Sequence, residues 1–341
     1  MSAVLWERVG ELADRAPQLS DLRHHKLQLI AASRMRDRGE QVPHELLAEE
    51  RSLATLSLAV PLLLSRVRAA CDGPLVVMKG AEVAARWPQA RLRPAIDIDL
   101  LVEDAEAVQA SLLAAGFVLL DDPTIYGRLH HHCPIGFPGL PLAIEVHHQP
   151  HWCGGTPPDV AEIIAAAQPC ALGVEGVLAP RPDHHVVLLT AHAWAHGPLE
   201  RISHLADIAA MLRETTPEAA EAVAEKWGMA NTWRVTARAI DELLDSGSNH
   251  RRAPVWKRHL SGARERTVFE EHVTRIIAPA TAASAGRAPM MILTGLTQAL
   301  RPHPQEGWKD KVVRTIQAFR HAAWARSQHE AAIEAPVRSP E

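Results

Sequence analysis

Cysteine is scarce in this chain: Cys71, Cys133, Cys153 and Cys170 are the four in 341 residues. None stands in CxxC spacing, which excludes a zinc-finger pattern and a dense disulfide framework. Reduced thiols in a cytoplasmic protein are therefore expected. Long apolar runs are missing too. The longest, Leu53 to Leu64, is interrupted by Thr55, Ser57 and Pro61 and falls short of the ~18 residues of a membrane span. The opening residues, Met-Ser-Ala-Val-Leu-Trp-Glu-Arg, lack a basic segment followed by an apolar core, so no signal peptide is expected. Excess charge of either sign is absent: 36 Lys and Arg stand against 40 Asp and Glu, a net charge of −4. Nothing here reads as the basic domain of a nucleic-acid binder. Neither a membrane nor a nucleic acid is an expected partner.

What is present is the balance of a globular protein, 47% hydrophobic and 22% charged, which excludes a mostly disordered or collagen-like chain. At ~100–200 residues per domain the length suggests about two domains. Histidine is abundant at 20, and nine tryptophans outnumber one tyrosine and four phenylalanines. Basic charge is nearly all arginine, with Lys79 one of very few lysines.

The first 70 residues have helical spacing: Leu5, Val9, Leu12 and Ala13, then Leu22, Leu27, Leu29 and Ile30, then a segment from His44 to Ala70. At Asp72-Gly73-Pro74 the pattern changes. Leu75–Met78 reads as a buried strand, Ala81–Trp87 as a short helix, and Ala95–Val102 as a second strand. Glu103-Asp104 opens a helix through Ala115, which Gly116 ends. Phe117–Leu120, Ile125–Phe137 and Leu142–His148 are further expected strands. Beyond Cys153-Gly154-Gly155-Thr156 nearly everything has helical period, with a loop at Ser246–Asn249 and a polar tail. The expected fold class is α+β, with a small mixed sheet flanked by N-terminal helices and followed by a larger helical domain. Its expected parts are N-terminal helices over 1–71, a core over 72–155, a helical domain over 156–328 and a disordered tail over 329–341.

The informative motif is Asp97-Ile98-Asp99. Strand side chains alternate, so Ile96, Ile98, Leu100 and Val102 take an apolar face and Asp97 and Asp99 the other. Residues two apart lie ~6.6 Å apart, close enough for two carboxylates to share a hard cation or a pair of them. Two anions in a buried strand are costly unless something positive neutralises them, and a divalent metal is the simplest neutraliser. The bland alternative is a solvated strand face. Two neighbours bear on the choice. Lys79-Gly80 follows a strand and precedes a helix, where a glycine lets phosphate approach the backbone. Glu145 and His147 share one face of an apolar strand, while Ile144 and Val146 share the other.

Val77-Met78-Lys79-Gly80, then Arg93-Pro94-Ala95-Ile96-Asp97-Ile98-Asp99-Leu100-Leu101-Val102, then Ile144-Glu145-Val146-His147-His148, resembles the bacterial uncharacterised nucleotidyltransferase family of the polymerase-beta-like superfamily. The superfamily pattern is a Gly-Gly or Gly-Ser turn, an Asp-x-Asp or Asp-x-Glu pair, and a later acid on a neighbouring strand. The resemblance covers residues 72–152 and extends more weakly to 182–212. Here Gly80 is followed by Ala81, so the serine hydroxyl that often touches a phosphate is missing, though Lys-Gly is usual in the smaller family. The resemblance implies that Asp97 and Asp99 bind Mg²⁺ or Mn²⁺. It also implies that Glu145 completes the metal site or acts as base, and that Lys79, Gly80 and Arg93 hold phosphates. His147 is the best remaining site candidate, because it shares a face with Glu145. The implied reaction moves an NMP from an NTP, with ATP the expected co-substrate, to a hydroxyl of a small molecule, peptide or protein. The alternative is a non-catalytic nucleotide-binding or scaffold module of the same fold.

His130-His131-His132 sit on an expected strand, where alternate members face opposite sides. His192 and His196 are four apart on an expected helix and could chelate, or could pack and hydrogen-bond. A metal-dependent phosphohydrolase using His192, His196 and Asp207 is a third reading. Trp152 is expected in the core, with stacking on a base as its alternative.

Overall fold

Four helices come first: Ser2–Asp14 (α1), Leu19–His24 (α2), Gln28–Asp37 (α3) and the long His44–Ala70 (α4). The predicted stripe of α1, Leu5, Val9, Leu12 and Ala13, is buried together with Leu27, Leu29 and Ile30. The structure, a computed structural model, describes residues 2–126, 129–153, 155–244, 257–282, 286–302 and 306–322. The expected loop at Ser246–Asn249 and the expected tail lie outside the described residues.

Next come Leu75–Val77 (β1), Ala81–Ala84 (α5), Asp97–Leu101 (β2), Ala105–Ala114 (α6), Val118–Leu119 (β3), Ile135–Gly136 (β4) and Ala143–His147 (β5). Asp104 caps α6 by accepting the Ala107 N–H at 2.9 Å, and Gly116, at φ 93°, follows its end as the sequence predicts. Val160–Ala165 (α7), Gln168–Pro169 (β6) and Val177–Ala179 (β7) follow. The helical remainder is Pro182–His196 (α8), Ile202–Met211 (α9), Pro217–Lys226 (α10), Ala230–Leu244 (α11), Arg258–Ser261 (α12), Val268–Ala282 (α13), Ala288–Leu300 (α14) and Trp308–Ala322 (α15).

The strands form one mixed sheet in the order β3-β4-β5-β2-β1-β7-β6. Parallel pairs β2–β5 and β1–β7 flank an antiparallel β1–β2. Alternation decides what each face meets. Leu75, Val77, Ile98, Leu100, Ile144 and Val146 pack with Val60, Leu63 and Leu64 of α4 and Leu112 of α6. Val76, Met78 and Leu101 point the other way, onto Val186, Val187 and Ile208 of α8 and α9 and Val223 of α10. Asp97, Asp99, Glu145 and His147 therefore belong to the face turned toward α8. A third core joins α1 and α3 to α9 and α11, so the N-terminal helices pack on the C-terminal ones.

Three expectations need correction. The sheet does not end near residue 155: β6 and β7 extend it, with β7 parallel to β1. Three residues are too short for a period-2 pattern to show. The strand expected over Ile125–Phe137 shrinks to β4 and an isolated bridge between His131 and His147. Pro134, within it, has no N–H to give a ladder. Finally, α4 is long and apolar enough to cross a membrane, with a mean hydropathy of 1.4 in its best window, despite its interruptions. One face of α4, with Val60, Leu63, Leu64 and Val67, is buried against the sheet, while Leu58 and Leu62 are exposed and 28% of the apolar window is buried.

Candidate active site

Parallel pairing of β2 with β5 sets Asp99 directly opposite Glu145 and Asp97 opposite Ala143. Like charges across a strand pair repel, so this register needs a neutraliser. Two groups supply it. Lys79, on the turn leaving β1, places Nζ 2.9 Å from Asp99 Oδ1. His147, one alternation beyond Glu145, places Nε2 3.1 Å from Asp99 Oδ1 and 3.4 Å from Glu145 Oε2. His131, brought in by its bridge to His147, lies 3.9 Å from Glu145 Oε2. Ligand atoms of Asp99, Glu145 and His147 all fall within 4.8 Å of one another.

Burial and charge compete at each group. Burial alone would raise the Asp99 carboxyl, but Lys79 and His147 outweigh it and hold it well below the carboxylate range. Glu145 follows the same balance: burial raises it, and the hydrogen bond from His147 brings it below its ordinary value. Burial pulls His147 down, while its bonds to Asp99 and Glu145 lift it above the ordinary histidine value. Asp97 is the exception. Burial, and then the charge of Asp99, raise its carboxyl, with Lys79 opposing. Asp99 Oδ2 is buried and has no hydrogen-bond partner among the described residues.

Of these groups Lys79 and Asp97 line a cleft, together with Lys26, Gly80, His192 and Ser203. Gly80 turns at φ 65°, and a Cβ there would stand 3.1 Å from the Asp97 carbonyl oxygen. A side chain would crowd β2 as well as strain the turn. The helix behind this turn, α5, has only four residues, so its dipole adds little. Glu82 of α5 is fully buried, accepting the Ala171 N–H at 2.9 Å and pairing with Arg86.

Arg93 differs from its expected role. Its Nε and Nη2 bond both oxygens of Asp207 at 2.9 and 2.8 Å, and Nη1 bonds the Gly80 carbonyl at 3.0 Å. It holds the Gly80 turn against α9, and it lends the cleft charge without a free fork for phosphate. Asp207 also accepts the Trp87 Nε1–H at 2.8 Å, so it is not available to His192 and His196. Trp152 is partly buried and packs edge-on, at 70°, against Trp227, with 6.1 Å between centroids.

Sequence reasoning missed Lys26. It lines the cleft from the α2–α3 turn at φ 55°, and it makes no ion pair among the described residues. Burial, and then Arg93 and Arg201, lower its pKa, while Asp97 and Asp207 oppose them. In the sequence it is marked only as one of very few lysines, and nothing local ties it to residues seventy positions away.

A family model described as uncharacterised nucleotidyltransferase matches residues 17–245. That span runs from α2 through α11 and contains every residue of the carboxylate cluster. No curated protein and no solved structure matches the chain.

Proposed function

The chain belongs to the uncharacterised nucleotidyltransferase family, and from that premise we propose that it moves an NMP from an NTP to a hydroxyl-type acceptor on a small molecule, peptide or protein. The observation that carries this is the pairing of Asp99 with Glu145 on adjacent parallel strands, beside Asp97 and behind the Gly80 turn. Three carboxylates face one ammonium and one imidazole there, and Asp99 Oδ2 is an orphaned buried acceptor. That donor set suits a hard divalent cation. Asp97, Asp99 and Glu145 would hold Mg²⁺ or Mn²⁺, which when bound supplies positive charge to the triphosphate and the leaving pyrophosphate.

The rest is the work of the chain. Gly80 leaves room for phosphate oxygens at the backbone, and Lys26 and Lys79 give them positive charge. His147 keeps Asp99 and Glu145 in fixed geometry. The acceptor oxygen attacks the α-phosphorus, the bond from that phosphorus to the bridging oxygen breaks, and pyrophosphate leaves. Glu145, held ionised, takes the acceptor proton. The helices after β7 border the cleft through α8 and α9 and select the acceptor.

Pyrophosphate release from Mg-ATP, then from the other NTPs, across a panel of hydroxyl acceptors tests the reading. Glu145→Gln should slow it by ~10²–10⁴-fold if Glu145 is the base. A base role flattens the acidic limb of the pH–rate profile, whereas a ligand role also weakens Mg²⁺ dependence. Calorimetric NTP binding with no release for any acceptor would favour the non-catalytic module instead.

A further inference from the structure

Three imidazoles converge beside the carboxylate cluster. His192 and His196 lie one turn apart on α8, their ring centroids 4.4 Å apart. His151, from the segment after β5, brings its ring to 5.7 Å from His192 and 4.8 Å from His196. One ring nitrogen of each lies within 4.8 Å of those of the other two. His130 stacks flat on His151 at 4.1 Å and sets its ring plane. Among the described residues none of the three donates or accepts a side-chain hydrogen bond, and His151 Nδ1 is buried without a partner. Cys153, two residues further, does not join: burial pushes its thiol up to about 12, and its Sγ lies 3.6 Å from Met229 Sδ.

Burial above all favours the uncharged form of each ring, and it lowers His196 to about 4. An uncharged imidazole offers one nitrogen lone pair to a metal ion, and here three rings bring one nitrogen each within 4.8 Å of the others. We propose that His151, His192 and His196 form a site for a borderline divalent transition ion such as Zn²⁺, separate from the carboxylate site. Imidazole nitrogen suits Zn²⁺, Co²⁺, Ni²⁺ or Cu²⁺, and oxygen donors suit Mg²⁺. Three histidines leave a fourth position open, as catalytic zinc sites do. Zn–N bonds of ~2.0–2.1 Å in a tetrahedron put nitrogens ~3.3 Å apart, so small rotations of exposed His196 and half-buried His151 close the triangle. Lys79, whose charge acts on all three rings, is already paired with Asp99. His151 and His192 also line a small pocket with Lys79 and His147. The open position therefore adjoins the carboxylate cluster, where water or a donor atom of the acceptor would complete it. This site does not depend on nucleotidyl transfer being the reaction.

Metal-stripped full-length protein titrated with Co²⁺ alone, in excess Mg²⁺ at pH 7.5, tests the proposal. The expected result is one equivalent bound with visible d–d bands and displaced by Zn²⁺. His192→Gln and His196→Gln should each weaken it at least ~100-fold, while Asp99→Asn keeps it. His196 is exposed, so His196→Gln with an unchanged circular dichroism spectrum separates lost ligation from lost fold. No bound equivalent in the wild type, unchanged binding in His196→Gln, or loss in Asp99→Asn would each overturn the proposal.

Discussion

Two groups of buried charge stand on either side of the Gly80 turn, and they are built differently. The Arg93–Asp207 pair is closed. Both Asp207 oxygens accept from Arg93 at 2.8–2.9 Å, Trp87 adds a third bond, and the remaining Arg93 nitrogen bonds the Gly80 carbonyl. Its charges cancel and its geometry is satisfied. The Lys79–Asp99–His147–Glu145 group is open. It keeps a buried oxygen, Asp99 Oδ2, that has no hydrogen-bond partner among the described residues, and its Lys79 lines a cleft beside Asp97. In sequence the two look alike, as charged residues in apolar segments. The closed pair fixes the position of a turn, and the open group is ready for a cation and a substrate.

Substitutions on the open side should act on turnover, and those on the closed side on folding. Asp99→Asn should have the largest effect, lowering nucleotidyl transfer by ~10²–10³-fold, as loss of a preorganised charge does. It should also lower stability by about 1–3 kcal/mol, because Lys79 and His147 lose their counter-charge; relief of repulsion with Glu145 offsets only part of this. Steady-state rates and a denaturant melt check both arms, and normal turnover would place the metal elsewhere. Asp207→Asn should cost about 3–5 kcal/mol in the same melt, since it leaves the Arg93 charge buried and unpaired. Equal losses of turnover and stability at Asp99 and Asp207 would erase the distinction between the two groups.

Lys26→Ala probes the rim of the open group. One charge-assisted contact is worth ~1.5–3 kcal/mol, so the KM for NTP should rise ~10–100-fold with the melting temperature unchanged. A fall in kcat at constant KM would remove Lys26 from phosphate binding. The smallest effect concerns the carbonyl of Met78, which the His185 imidazole bonds beneath the Lys79 turn. Burial holds His185 at about 3, against ~6.5 in an unfolded chain. Between those values the unfolded state binds the extra proton, so stability falls as pH falls through that window. His185→Gln should flatten that slope by up to ~1.4 kcal/mol per pH unit; an unaltered slope would mean His185 titrates normally.

The sequence made much of the carboxylate cluster legible, because strand alternation is a local property. Period 2 alone puts Asp97 and Asp99 opposite Ile98 and Leu100, and Glu145 and His147 opposite Ile144 and Val146. It also carried the Lys79-Gly80 turn and the helices α1, α6, α8 and α9. It did not carry β7, whose three residues show no period, or the true partner of Arg93, which lies 114 positions away. His147 was singled out for its face, but its part as the bridge between two carboxylates depends on the β2–β5 register.

By itself, then, the sequence determined which residues share a face, where helices begin and end, and that three acids interrupt apolar strands. Those follow from backbone geometry over a few residues. Only the tertiary structure decided that Asp99 faces Glu145, that Lys26 reaches the cleft from the first helical layer, that Arg93 is already paired, and that His151 meets His192 and His196. Each of these joins segments tens of residues apart, and their approach is set by how the sheet packs against α4 and α6 on one face and α8, α9 and α10 on the other.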